Sequence, residues 1–221
     1  MGYDSTNTYS YSSDRNGMIN MLRMKELPKE AKGKMLFSAL KLFASKGYKN
    51  TSVLEIVETA HVSKTTFYQQ FSSKEALVVA LCQDLIDEIA MEIKRAAMEE
   101  PRVGYKAYAA IYRYLEICFT NPAVAHFILL ESVGISEEVE IVRREAMQGF
   151  ADLIFIFAYQ QFTDQEREEE IRIVSQAMVG AINEVVIRNV KDASRELDIE
   201  ELARLLNRLV IGAFVNLSNN Q

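Results

Sequence analysis

Residues 63–70 read Ser-Lys-Thr-Thr-Phe-Tyr-Gln-Gln. At helical periodicity, Val62, Phe67 and Phe71 gather on one side, leaving Lys64, Thr65, Thr66, Tyr68, Gln69 and Gln70 on the other. That outer face offers a cation, hydroxyls, amides and methyl groups, and it contains no acid. Such a set suits base edges, thymine methyls and phosphate oxygens. Catalytic chemistry has no comparable inventory. The chain has 2 His and 2 Cys in 221 residues, without a G-x-S-x-G, a P-loop or a metal-spaced His/Cys set. Glu99-Glu100 and Glu168-Glu169-Glu170 read as solvated helix ends. No enzyme, catalytic residue, cofactor or metal is expected.

The outward face must be held by other elements. The pattern predicts helices over 52–60 and 63–70, broken at His61, and each is too short to be stable alone. A third helix over 30–46 supplies the stripe Leu36, Ala39, Leu40 and Phe43, while Ile56, Val57 and Ala60 can face Val62, Phe67 and Phe71. This is a helix-turn-helix, whose second helix enters a major groove. Charge distribution agrees in sign. The net charge is -6, yet residues 1–80 carry 11 Lys/Arg against 7 Asp/Glu and residues 81–221 carry 14 against 24, the pattern of a basic module on an acidic body.

Three prolines leave long uninterrupted segments. Ser52/Glu55, Ser72/Glu75, Thr163/Glu166 and Asp198/Glu201 each have the spacing of a reciprocal helix cap. Asn121-Pro122 and Ser136 mark further starts. The fold class is therefore all-α, with further helices near 73–99, 102–120, 122–133, 137–161, 164–191 and 198–217. The β-prone run Leu153-Ile154-Phe155-Ile156-Phe157 lies within one of them and is read as a buried helix. Cys82 and Cys118 fall in apolar runs and are expected to be reduced core residues.

The run KGKMLFSALKLFASKGYKNTSVLEIVETAHVSKTTFYQQFSSKEALVVAL resembles the DNA-binding domain of the TetR family of bacterial transcriptional regulators. The resemblance rests on Ala39, Phe43, Gly47-Tyr48, Thr51-Ser52, Ile56, Ala60, Val62-Ser63, Phe67-Tyr68, Phe71 and Ser73-Lys74-Glu75, over about residues 31–81. It implies a homodimer on a palindromic double-stranded DNA operator, most often as a repressor, released by a small-molecule effector. It further implies phosphate contacts at Tyr48, Thr51, Ser52 and Lys74, and base or backbone contacts at Ser63, Lys64, Thr65, Thr66, Tyr68 and Gln70. His61 stands where the family usually has Gly, in a left-handed turn that costs a non-glycine residue roughly 1–2 kcal/mol. Thr65 stands where Gly or Pro is frequent. The expected organisation is a polar arm over 1–29, a DNA-binding domain over 30–77 and a ligand-binding and dimerisation domain over 78–221.

In that last part, Tyr105, Tyr108, Tyr112, Leu115 and Phe119 share a helix face, and polar residues interrupt apolar runs at Glu116, His126, Glu131, Asn183 and Glu184. A few polar groups in an apolar cavity describe a ligand site, here expected at Tyr108, Tyr112, Glu131, Phe155, Tyr159 and Asn183, for a largely hydrophobic effector. His126 is expected to satisfy a core hydrogen bond. The amphipathic segments near 164–191 and 198–217 are expected to form the dimer's four-helix bundle. No run reaches a membrane span and the first residues lack a signal-peptide pattern, so the expected compartment is the cytoplasm. An alternative remains open: a helical ligand-binding or protein-interaction module whose helix-turn-helix does not bind DNA. Steep weakening of DNA binding by salt separates the two.

Overall fold

A computed structural model describes residues 20–161, 167–192 and 198–219. Among them there are helices and no strands. After a short 3-10 turn at Met21–Arg23 come α1 (Ala31–Lys46), α2 (Val53–Thr59), α3 (Lys64–Gln70), α4 (Lys74–Glu99) and α5 (Val103–Thr120). Then follow α6 (Pro122–His126), α7 (Glu137–Gln161), α8 (Glu168–Lys191) and α9 (Ile199–Asn219). The LIFIF run is helical, within α7. The cap expected at Thr163/Glu166 and most of the arm lie outside the described residues.

Helix starts follow local chemistry. Ser52 and Glu55 make the reciprocal box, each side chain accepting the other's backbone N–H. Asp198 accepts from the N–H groups of Glu200 and Glu201, and Ser136 from that of Val139. One start moves: the cap of α4 is Ser73, accepting from Ala76 N, one residue after the expected Ser72. Ser73 has the extended backbone that a cap requires. At Asn121 the side chain turns back and donates to Ile117 O, so the proline alone marks that start.

The helix expected over 122–133 is not uniform. After α6 the backbone widens into a π turn over Phe127–Glu131, with Ser132 N donating to Phe127 O at 2.9 Å. Such turns insert one residue into a helix and recur at functional sites.

Two apolar cores hold the assembly. The first runs from Met35, Leu36 and Phe43 of α1 through Ile56 and Phe67 to Leu77, Leu81 and Leu85 of α4, and on to Phe127 and Val139. Packing is continuous across residues 77 and 78, so α4 belongs to both halves. The second gathers Leu115, Ile182, Val186, Ala203, Leu206, Val210 and Phe214. Cys82 and Cys118 are free thiols in these cores, and burial pushes both up to about 12.

Candidate nucleic-acid interface and effector chamber

In α3, Ser63 accepts from Thr66 N at 3.0 Å and starts the helix, while Phe67 is fully buried and Phe71 nearly so. Those two rings fix which side faces out. Lys64, Thr65, Tyr68, Gln69 and Gln70 are exposed, and Thr66 is half-buried. Tyr68 is 59% exposed and stands edge-on to Phe67 at 5.2 Å. The turn that sets α2 against α3 passes through His61 at φ 52, the left-handed conformation expected there. Val62 N donates to Val57 O across it.

The loop before α2 departs from the sequence expectation. Ser52 is exposed, but Thr51 is buried at 2% and its hydroxyl donates to Gly47 O at 2.9 Å. Lys74 does not reach outward. Its ammonium donates to Tyr48 O (2.9 Å) and Thr51 O (2.8 Å) and lies 3.9 Å from the centre of the Tyr48 ring. Burial there lowers the Lys74 pKa and raises that of the Tyr48 phenol. In this geometry Thr51 braces the loop from inside, Lys74 and Tyr48 are half-buried against each other, and Ser52 is the exposed group. Lys46 pairs with Glu55, and that hydrogen bond, with those from Ser52, holds the Glu55 carboxyl down at about 2.

The body contains two adjoining apolar chambers. One, of ≈ 60 Å³, is lined by Ile93, Tyr114, Phe150, Ile182 and Asn183, among others. The other, of ≈ 240 Å³, lies between Gly104, Ala107, Phe157, Val210 and Phe214. Ala110, Ile111, Leu153 and Ile154 line both. Of the six expected ligand residues, Asn183 lines the first of these chambers, and Glu131 lines a separate, more polar hollow of ≈ 660 Å³ beside Gly47 and Tyr48. The Asn183 Oδ1 accepts from the Tyr114 hydroxyl, and Nδ2 points to Met147 Sδ at 2.8 Å. Tyr108, Tyr112, Phe155 and Tyr159 pack on the second core instead, because α5 turns its small residues rather than its aromatic stripe toward the open space. The spacing Gly104, Ala107, Ala110/Ile111, Tyr114 was the overlooked signal, since small side chains at helical intervals leave volume. Glu131 is elsewhere altogether: its Oε2 accepts from Tyr48 N at 2.8 Å, at the junction of the helix-turn-helix with the body. The Nδ1 of His126 is buried without a hydrogen-bond partner, unlike the expectation for it.

Residues 36–81 match the family of bacterial regulatory proteins described as the tetR family. Over this segment the chain is similar to the TetR family. It is 32% identical over 123 residues to the HTH-type transcriptional regulator YuxN of Bacillus subtilis, covering 55% of this chain and 42% of that one. It is 25% identical over 154 residues to the HTH-type transcriptional activator FasR of Mycolicibacterium smegmatis, covering 69% and 70%. The structure of the regulator FadR from Bacillus subtilis in complex with stearoyl-CoA superposes with a TM-score of 0.69 over 81% of this chain and 97% of that one. At 19% identity this likeness speaks for the fold alone.

Among the described residues, apolar surface is also exposed on α8 and α9. Leu206 and Val210 point inward, whereas Leu205 (46%) and Leu209 (55%) are exposed. On α8, Ile173 (56%), Ala177, Gly180 and Ala181 are likewise exposed. Among the described residues no helix is long and apolar enough to cross a membrane.

Proposed function

We propose that the protein is a ligand-responsive transcriptional regulator that binds a palindromic operator as a homodimer and acts as a repressor. The observation that carries this reading is the α3 face: an acid-free surface of Lys64, Thr65, Tyr68, Gln69 and Gln70, fixed outward by the buried Phe67. Ser63 and Thr66 at its start, with Ser52 and Tyr48 beside it, would approach phosphates, while residues 30–77 act as the DNA-binding unit. Residues 78–221 would hold the effector and the dimer contact, formed by α8 and α9. Two α3 helices about 34 Å apart would then meet successive turns of one groove. Acting on DNA in a bacterium, the protein would work in the cytoplasm.

The effector is read as largely hydrophobic. The lining of both chambers is aliphatic and aromatic apart from Tyr114 and Asn183, which favours an apolar body with one hydrogen-bonding group. The acyl chain of the stearoyl-CoA bound by the similar FadR is of that kind. An effector that binds one body conformation better draws the two α3 helices out of register, and a coupling of about 1–3 kcal/mol changes operator affinity about 5–150-fold.

The test uses duplexes enriched by the purified protein from a random pool. The Lys64→Ala/Tyr68→Ala double variant is expected to lose at least about tenfold in gel-shift affinity, with its sedimentation unchanged, and binding should weaken steeply with salt. Enrichment of no duplex, or unaltered affinity in the double variant, would end this reading.

A further inference from the structure

We infer that Glu131 is a positioning residue that sets the orientation of the helix-turn-helix on the body, and that the π turn ending on it fixes where its carboxylate lies. Its consequence for operator binding rests on the function proposed above.

Glu131 Oε2 accepts from Tyr48 N at 2.8 Å, joining residues 83 positions apart. Gly47 permits this approach: a Cβ there would lie 3.2 Å from Oε2 and 3.4 Å from Oε1, and its φ of 85 suits glycine. The same loop is held from its other side by Lys74, bonded to Tyr48 O and Thr51 O. A second contact runs in parallel, with Phe127, the first residue of the π turn, stacked on Phe43 of α1 at 5.7 Å. The turn thus grips the DNA-binding half at both its ends.

The turn is itself tied to α7. The Arg143 guanidinium donates to Ile128 O and, at 2.9 Å, to Ser132 Oγ, and the Ser132 hydroxyl contacts Ile128 O at 2.9 Å. About two to three helical turns beyond Arg143, α7 presents Phe150, Leu153 and Ile154 to the chamber. A displacement of that wall is therefore carried along one rigid helix to the π turn. Closing the turn to ordinary α geometry would remove the inserted residue's offset and swing Glu131 by about 100° around the helix axis relative to Phe127, away from Tyr48 N.

The test places nitroxides at Gln69→Cys in α3 and Arg144→Cys in α7, both exposed, in full-length protein diluted into unlabelled chains. Pulsed-resonance distances and exchange of the Tyr48 amide are read without DNA. Wild type should give one narrow distribution. Glu131→Gln keeps a carbonyl acceptor and should match it; Glu131→Ala should at least double the width and speed Tyr48 amide exchange about tenfold or more. Gly47→Ala, which crowds the carboxylate, should broaden the distribution too and serves as the second probe if Glu131→Ala does not fold. Distributions as narrow as wild type in the alanine variants, or equal broadening in Glu131→Gln, would overturn the inference. Failure to bind any duplex would instead end the reading of α3, because these distances need no operator.

Discussion

Glu88 of α4 is 6% exposed, and its carboxylate accepts from Met21 N at 2.8 Å and Leu22 N at 3.2 Å. It holds the 3-10 turn before α1 against the long helix, with Met21 buried in the first core. Burial pushes its pKa up to about 7 from 4.5; the Glu92 carboxylate adds to this, and the two amides and Arg23 oppose it. The folded chain therefore binds this proton more tightly than the unfolded chain. Its contribution to stability is fully present below about pH 4.5 and is lost as pH rises through about 7. Across that window the effect is on the order of 3 kcal/mol. In Glu88→Gln, urea midpoints should flatten between these values; an unchanged slope would assign the dependence to other groups. Single residues were also least legible in the sequence. Thr51, Lys74 and Glu131 have side chains that suit a phosphate or a ligand, but their partners are backbone groups of a loop whose path no local pattern encodes.

Elements were far more legible. The caps at Ser52, Ser136 and Asp198 and the break at His61 stand where spacing placed them, since these signals act within four residues. Phe67 and Tyr68, adjacent in sequence, show how a helix assigns opposite fates to neighbours. Phe67→Ala removes a fully buried ring and should cost about 3–5 kcal/mol in denaturant unfolding. Tyr68→Ala, at 59% exposure, should cost under about 1 kcal/mol. Similar costs for the two would mean that α3 is not anchored as described. The π turn at 127–131 escaped the pattern because its extra residue answers to packing against Phe43 and Arg143, both distant in sequence.

At the scale of the molecule, the exposed leucines of α9 carry the dimer expectation. Leu205→Glu together with Leu209→Glu should convert a dimer to a monomer in sedimentation at micromolar concentration, with helicity retained. A charge at the buried Leu206 should unfold the chain instead. A double variant that still dimerises would move the contact to another surface.

The helices, most of their starts, the buried side of α3 and the TetR resemblance were all readable in the residue order, because periodicity, capping and turn strain are local. Which face of α5 meets empty space, and the pairing of Tyr114 with Asn183, came from the packed chain. Packing alone brought Glu131 to the loop at Gly47-Tyr48. These outcomes depend on how helices far apart in the chain rotate and pack against one another, and residue type constrains that rotation only through the volumes it must fill.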